Sequence, residues 1–221
     1  MRKYVLMATV AAVAGITSSA AFAADPTPPP VMAYNWTGFY LGGDVGWAWL
    51  DTGAAQGPGP GSVFIQKDSD GVMGGGYAGY NFEIAPSWIL GIEGDFSGTD
   101  LDNTVPCNNP LFACNASADW TASVRGRVGF AVDRALIYGT GGIAWLDYSG
   151  FTAIGGLKFS DSNTMTGWTA GGGIEWAFTD NFIARAEYLY SDFGSHTMKY
   201  DVGYRVDPTL SIFRLGLSYK F

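Results

Sequence analysis

Histidine, cysteine and charge are all scarce in this sequence. It holds one His and two Cys, and charged residues occupy only 14% of 221 positions, where soluble domains average about 25%. Lys and Arg number 12 against 20 Asp and Glu, a formal net charge of −8. A chain so short of cations has no basic patch with which to track a phosphate backbone, so nucleic acid is excluded as a partner. The low charge is not disorder, because aromatics make up 15% of the residues and disordered segments are poor in them. Long apolar runs are also missing: beyond the N-terminus, Gly, Asp or Arg interrupts every apolar stretch within a few residues. No segment can therefore cross a bilayer as a helix, which needs about 20 apolar residues.

The N-terminus has the parts of an export signal. Arg2 and Lys3 precede the apolar segment Tyr4–Ile16, and Ala21-Phe22-Ala23 supplies an A-x-A cleavage site. Residues 1–23 are expected to be a signal peptide, whose loss removes two cations and takes the net charge from −8 to −10. Residues 24–35, which open with ADPTPPP, are expected to be an extended, Pro-rich periplasmic lead. Residues 36–221 are left for the folded domain. Cys107 and Cys114 in CNNPLFAC are expected to form a small disulfide loop in an oxidising compartment. A metal site there is the weaker alternative, since no His lies near and structural zinc takes four N/S ligands.

From Trp36 onward the chain alternates with period two, the mark of strands with two unlike faces. Eight stretches share it: Trp36–Trp49, Gly71–Phe82, Ser87–Ser97, Asp119–Val132, Ala135–Tyr148, Thr166–Phe178, Phe182–Tyr190 and Ser211–Phe221. The fifth is the least clear, with Leu136, Tyr138, Ala144, Leu146 and Tyr148 on one parity and Ile137, Ile143 and Trp145 on the other. Connections alternate between short (EIAPS, DR, TDN) and long. The long ones run to roughly 15–20 residues, above the usual loop length. This is an up-and-down meander with one elaborated end, so the fold class is all-β: an eight-stranded antiparallel barrel.

Two barrels fit, one with the apolar parity inside and one with it facing lipid. Volume favours the second, because eight strands enclose a space just wide enough for side chains to fill. The apolar parity is bulky, while the other is small and polar, including Gly42, Gly46, Gly75, Gly79, Gly91, Ser123, Gly129, Thr169, Gly171 and Gly173. Charge agrees: Asp44, Glu93, Asp95, Glu175 and Glu187 share the inward parity with Arg125, Arg127, Arg185, Arg214 and Lys220, a matched set, as burial requires. Lys220 is the least secure member, close to the strand end. Aromatics of the outward parity gather at strand ends in two girdles. Trp47, Trp49, Phe96, Trp120, Tyr148, Trp168, Tyr188 and Tyr190 are expected at the long-loop end. Phe82, Trp88, Phe130, Tyr138, Trp176, Phe178, Phe182, Tyr219 and Phe221 are expected at the short-turn end. The expected location is the outer membrane of a Gram-negative bacterium, with both termini periplasmic.

The stretches WTGFYLGGDVGWAW, GGGYAGYNF, LGIEGDFSG, VRGRVGFAVDRALIYGTGGIAW, AEYLYSDFG and FRLGLSYKF resemble the small porin-like outer-membrane proteins of alpha-proteobacteria. That family includes immunogenic surface antigens and haem-binding members. The resemblance covers nearly the whole mature chain, and its motifs are structural, so it implies fold more than activity. It implies that Phe213, Leu215, Leu217, Tyr219 and Phe221 are a signal read by the barrel assembly machinery. It also raises haem binding, with His196, Tyr200 and Tyr204 as candidate ligands, although a lone loop His is more often solvated.

Other chemistry is weakly supported. GGGYAG at Gly74–Gly79 fits G-x-G-x-x-G, but a dinucleotide site needs a strand before it and a helix after it, and here the glycines lie inside an alternating strand stretch, as small residues where a narrow barrel crowds. Ser195, His196 and Glu187 carry no nucleophile motif, so no enzyme activity and no cofactor are expected. The long loops are acidic, with Asp51, Asp68, Asp70, Asp100, Asp102, Asp119, Asp147, Asp161, Asp192, Asp201 and Asp207 against Lys67, Lys158, Lys199 and Arg205. A solvated surface is the plainer reading than divalent ions bridging to lipopolysaccharide. Expected partners are outer-membrane lipid and lipopolysaccharide, the assembly machinery, and host or surface ligands at the loops. A structural, surface-exposed role is the first expectation, and a narrow porin the alternative. Oligomeric state is not legible.

Overall fold

The computed structural model describes residues 34–51, 54–56, 63–65, 69–106, 113–154, 157–199 and 203–221. In chain order its strands are β1 (Gly38–Asp51), β2 (Ala54–Gln56), β3 (Val63–Ile65), β4 (Ser69–Ala85), β5 (Trp88–Pro106) and β6 (Ala113–Val132). They continue as β7 (Ala135–Ile154), β8 (Leu157–Ala177), β9 (Phe182–Asp192), β10 (His196–Lys199), β11 (Gly203–Val206) and β12 (Thr209–Lys220). Eight of them close a barrel in the order β1-β12-β9-β8-β7-β6-β5-β4, and the four short ones form a separate sheet, β10-β11-β2-β3. Closure is made by β1 on β12, antiparallel from Tyr40↔Lys220 to Asp51↔Thr209. No sheet edge is then left inside the apolar belt, which lipid demands.

Alternation assigns the faces as expected along most strands. Leu41, Val45, Trp47, Val72, Leu90, Ile92, Val124, Val128, Ile174 and Leu215 stand exposed on the outer surface. Phe213, Leu215, Leu217, Tyr219 and Phe221 form one exposed row along β12. Neighbouring girdle rings touch across strands: Trp88 meets Phe130 edge-on with centroids 5.6 Å apart, and Phe96 stacks on Trp120 at 5.6 Å.

Three expectations need correction. Tyr138 and Tyr148 are not girdle residues; both are buried inside the barrel, and Ile137 and Ile143 take the outer face of β7. That strand reads ambiguously because the interior is apolar at both ends, so both of its faces carry large apolar groups. The third and fifth connections are not long loops. β5 and β6 remain paired out to Pro106↔Ala113, and β7 and β8 out to Ile154↔Leu157. In these extensions the residue types lose their strict alternation while the backbone ladder continues. The first strand starts at Gly38, and Trp36 lies before it. Cys107 lies outside the described residues, as does Tyr200; Cys114 takes its place in β6, its backbone opposite Val105 and Thr152.

Inward glycines are matched to inward tyrosines on the neighbouring strand. Tyr40 faces Gly79 and Tyr77 faces Gly42 across β1 and β4, and Tyr138 faces Gly129 and Gly173 on β6 and β8. A Cβ at Gly42 would lie 2.5 Å from the Tyr77 ring and 2.7 Å from the Leu217 carbonyl oxygen. Neither a ring nor a ladder carbonyl can give way cheaply. Gly42→Ala is expected to destabilise the barrel by about 1–3 kcal/mol, the usual cost of overpacking. Urea titration, read by the migration of unheated protein on SDS gels, checks this; unchanged stability would mean that the Tyr77 ring can move aside.

Candidate functional site in the barrel interior

The interior has three layers. An apolar cluster at the long-loop end contains Leu50, Met73, Leu101, Leu146, Tyr148, Met165, Leu189, Phe193, Leu210 and Ile212. Another at the short-turn end contains Trp36, Ile89, Ala131, Leu136, Tyr138, Ala177 and Ile183. Between them lie the charges. Strand alternation delivers each of these to the lumen: Asp44 from β1, Glu93 and Asp95 from β5, Arg125 and Arg127 from β6, Glu175 from β8, Arg185 and Glu187 from β9, Arg214 from β12.

Each of these four guanidiniums meets at least two carboxylates. Arg125 reaches Glu93 at 2.6 Å, Asp95 at 2.8 Å and Glu187 at 3.1 Å. Arg127 reaches Glu93 at 3.3 Å and Glu175 at 2.9 Å. Arg185 donates to Glu93 at 3.0 Å and to Glu175 at 2.9 Å. Arg214 donates to Glu187 at 2.7 Å and Asp95 at 3.0 Å, and lies 3.2 Å from Asp44. Multiple partners of this kind are what a buried ion needs to offset its lost hydration.

Tyrosines complete the network, and the sequence reading missed their role. The Tyr40 hydroxyl donates to Glu93 at 2.7 Å and accepts from Arg127 at 2.9 Å. Tyr138 donates to Glu187 at 2.8 Å. The Arg127 guanidinium sits 4.0 Å from the Tyr138 ring centre, and that of Arg185 lies 4.0 Å from the Tyr77 ring centre, within the range of a cation–π contact. The signal that could have found them is the Tyr-opposite-Gly pairing, legible only once the register is known.

The charge count differs from expectation. Lys220 is at the rim, where its ammonium donates to the backbone carbonyls of Asn35 at 2.6 Å and Thr37 at 3.4 Å. The interior set is thus the four arginines against five carboxylates. The network is bound by local geometry rather than by a matched total.

Trp36, ahead of β1, also belongs to this interior. Asn35 accepts from the Thr37 backbone N–H at 2.9 Å, which bends the chain inward. Trp36 is buried, and its indole N–H donates to the Asp133 carbonyl at 3.1 Å. Tyr34 packs edge-on against it at 4.9 Å and donates to the Asp180 carbonyl at 3.1 Å. Burial pushes the Tyr34 phenol up to about 12, so it stays a neutral donor.

Of the loop candidates, His196 begins β10 and Ser195 precedes it. The His196 ring nitrogen Nε2 lies 2.8 Å from the Phe193 carbonyl, and Ser195 donates to Asp207. Tyr204 sits in β11, its backbone opposite Met198. Among the described residues, no group of three or more His, Cys, Asp or Glu could hold a metal ion.

The sequence matches the outer membrane protein beta-barrel domain over residues 8–221. It is 30% identical to the 31 kDa outer-membrane immunogenic protein of Brucella melitensis, with 99% of this chain and 100% of that protein covered. It is 32% identical to the 22 kDa outer membrane protein of Rhizobium leguminosarum bv. viciae, covering 98% of this chain and 97% of that one. Among solved structures it resembles the outer membrane protein OprG of Pseudomonas aeruginosa, with a TM-score of 0.54 at 13% identity, over 84% of this chain and 96% of that chain. An apolar outer surface between aromatic girdles, a barrel closed strand to strand and these matches agree: the chain belongs to the outer-membrane protein β-barrel family and is a protein of the outer membrane.

Proposed function

We propose that this protein is a non-channel anchor: a filled barrel that stabilises the envelope and carries its long-loop end as an exposed surface. The observation that supports this most is the three-layered interior. Two buried apolar clusters flank a network in which Arg125, Arg127, Arg185 and Arg214 are all buried and paired. Water-filled pores are built from about 16–18 strands, whereas eight leave room only for side chains. On this reading the short turns and both termini are periplasmic, residues 1–23 are removed on export and residues 24–35 lead into the barrel. The β12 row ending at Phe221 serves as the assembly signal, and the outer girdle contacts lipopolysaccharide. The names of the Brucella relatives, outer-membrane immunogenic proteins, support an antigenic role. The interior supplies structural pairs rather than a nucleophile with its base, which favours a non-enzymatic role.

Planar-bilayer recording of the purified protein tests the proposal. No stable open level on the nanosiemens scale is expected, because nothing wider than a side chain separates the layers. A steady level of that size would overturn the anchor and establish the narrow-porin alternative.

A further inference from the structure

Residues 34–37 do more than precede β1. In the strand order β1-β12-β9-β8-β7-β6-β5-β4, β7 lies four steps from β1 in either direction, on the opposite wall. Trp36 reaches across to that wall, bonding the Asp133 carbonyl in the turn between β6 and β7 and joining the buried cluster that holds Leu136 and Tyr138. Tyr34 reaches the turn between β8 and β9 through the Asp180 carbonyl. Its ring lies between two cations, Arg134 at 5.5 Å and Lys220 at 5.1 Å. Arg134 is itself held by Asp180 at 2.7 Å. On the remaining side, Thr37 accepts from the Glu83 backbone N–H at 3.0 Å.

We infer that this segment is a strap across the short-turn mouth, with Trp36 as its stopper and Tyr34 as its clasp. The strap governs access of water and small ions to the lower interior. The four anchor points belong to the ends of β4, β6, β8 and β12, so the seat exists only in the closed barrel. The strap is not itself part of a strand, and withdrawing it breaks no ladder hydrogen bond. A lid of this kind can open while the barrel stays folded, since local opening tracks local contacts rather than global stability.

Thiol accessibility tests the strap in the full chain reconstituted in nanodiscs, with Cys107→Ser and Cys114→Ser to clear the background. Ala177→Cys places a probe in the lower cluster and Ala48→Cys one in the upper cluster; both alanines are fully buried. A charged methanethiosulfonate is the reagent, and migration of unheated protein on SDS gels verifies folding. Trp36→Ala is expected to raise the reaction rate at position 177 by on the order of 100-fold, the open-to-closed ratio change that follows from deleting one buried indole. Tyr34→Ala, which leaves the stopper in place, should raise it by about tenfold. The rate at position 48 should not change in either case. Equal rates at position 177 with and without the strap contacts would overturn the inference. So would a parallel rise at position 48, which would mean that the whole barrel had loosened. If Trp36→Ala fails to fold, Tyr34→Ala alone decides between these outcomes.

Discussion

Glu93→Ala is expected to lower the unfolding free energy of the barrel by about 3–5 kcal/mol, the cost of breaking a buried ion pair from one side. The carboxylate is 2% exposed and stands at the centre of the interior network. It takes hydrogen bonds from Arg125 at 2.6 Å, Arg185 at 3.0 Å, Arg127 at 3.3 Å and the Tyr40 hydroxyl at 2.7 Å. Three guanidiniums would lose a partner at once, and none of them can shed its proton. Formal charge alone argues the other way: four arginines and five carboxylates become four and four. Asp44→Ala makes the same change in count but removes a carboxylate whose one ion-pair distance is 3.2 Å, to Arg214. Arg214 keeps Glu187 and Asp95. If geometry governs, Glu93→Ala is far more damaging than Asp44→Ala in urea titrations. Equal losses, or a loss below about 1 kcal/mol for Glu93→Ala, would reduce the network to the weak pairs of an ordinary surface.

How much of this was legible before any coordinates depends on what each solvent writes into the sequence. Lipid writes strongly. The alternation in Trp88–Phe96 or Phe213–Phe221 fixes both the strand and its face, because one parity must be apolar throughout the belt. The interior charges were legible for the same reason, since Glu93, Arg125 and Glu187 are conspicuous among small residues. Water writes weakly: between Gly98 and Trp120 the residue types keep no strict apolar–polar alternation, so the extensions of β5 and β6 looked like loop although they pair. The mixed interior was the other blind spot. Tyr138 and Tyr148 are as apolar as girdle residues, and only the register, which sets Tyr138 against Gly129 and Gly173, shows that the lumen has space for the ring. Lys220 shared the parity of the interior set, yet parity cannot say how far along the axis a residue sits. Its place at the rim follows from pairing with Tyr40 at the end of the β1–β12 ladder. The strap was invisible for a related reason. Trp36 opens the first alternating stretch and so reads as the start of β1, and its seat is assembled from Ile89, Leu136, Ala177 and Ile183 on four different strands.

Ile92→Arg is expected to destabilise the barrel in lipid by about 2–4 kcal/mol, the measured scale for a cation at the bilayer midplane of such a barrel. Ile92 is 56% exposed on the outer face of β5. Along that face it is midway between Trp88, in the short-turn girdle, and Phe96, in the long-loop girdle. Its cross-strand neighbours, Tyr80 and Gly126, offer no acid to pair with the new charge. Depth, not burial, sets the cost. Val72→Arg on β4 is equally outward, but it lies opposite Trp47 at the level of the outer girdle. There the guanidinium can reach headgroup and water, and the expected cost falls to about 0–1 kcal/mol. A soluble barrel would tolerate both substitutions alike, so equal and small effects in folding titrations with vesicles would remove lipid from the outer surface. The comparison is sharpest against the adjacent position. At Glu93 the loss of a charge is what destabilises, and at Ile92 the gain of one. A single step along β5 reverses the rule because consecutive side chains face different media, and only a closed barrel in a bilayer puts hydrocarbon on one side and paired charge on the other.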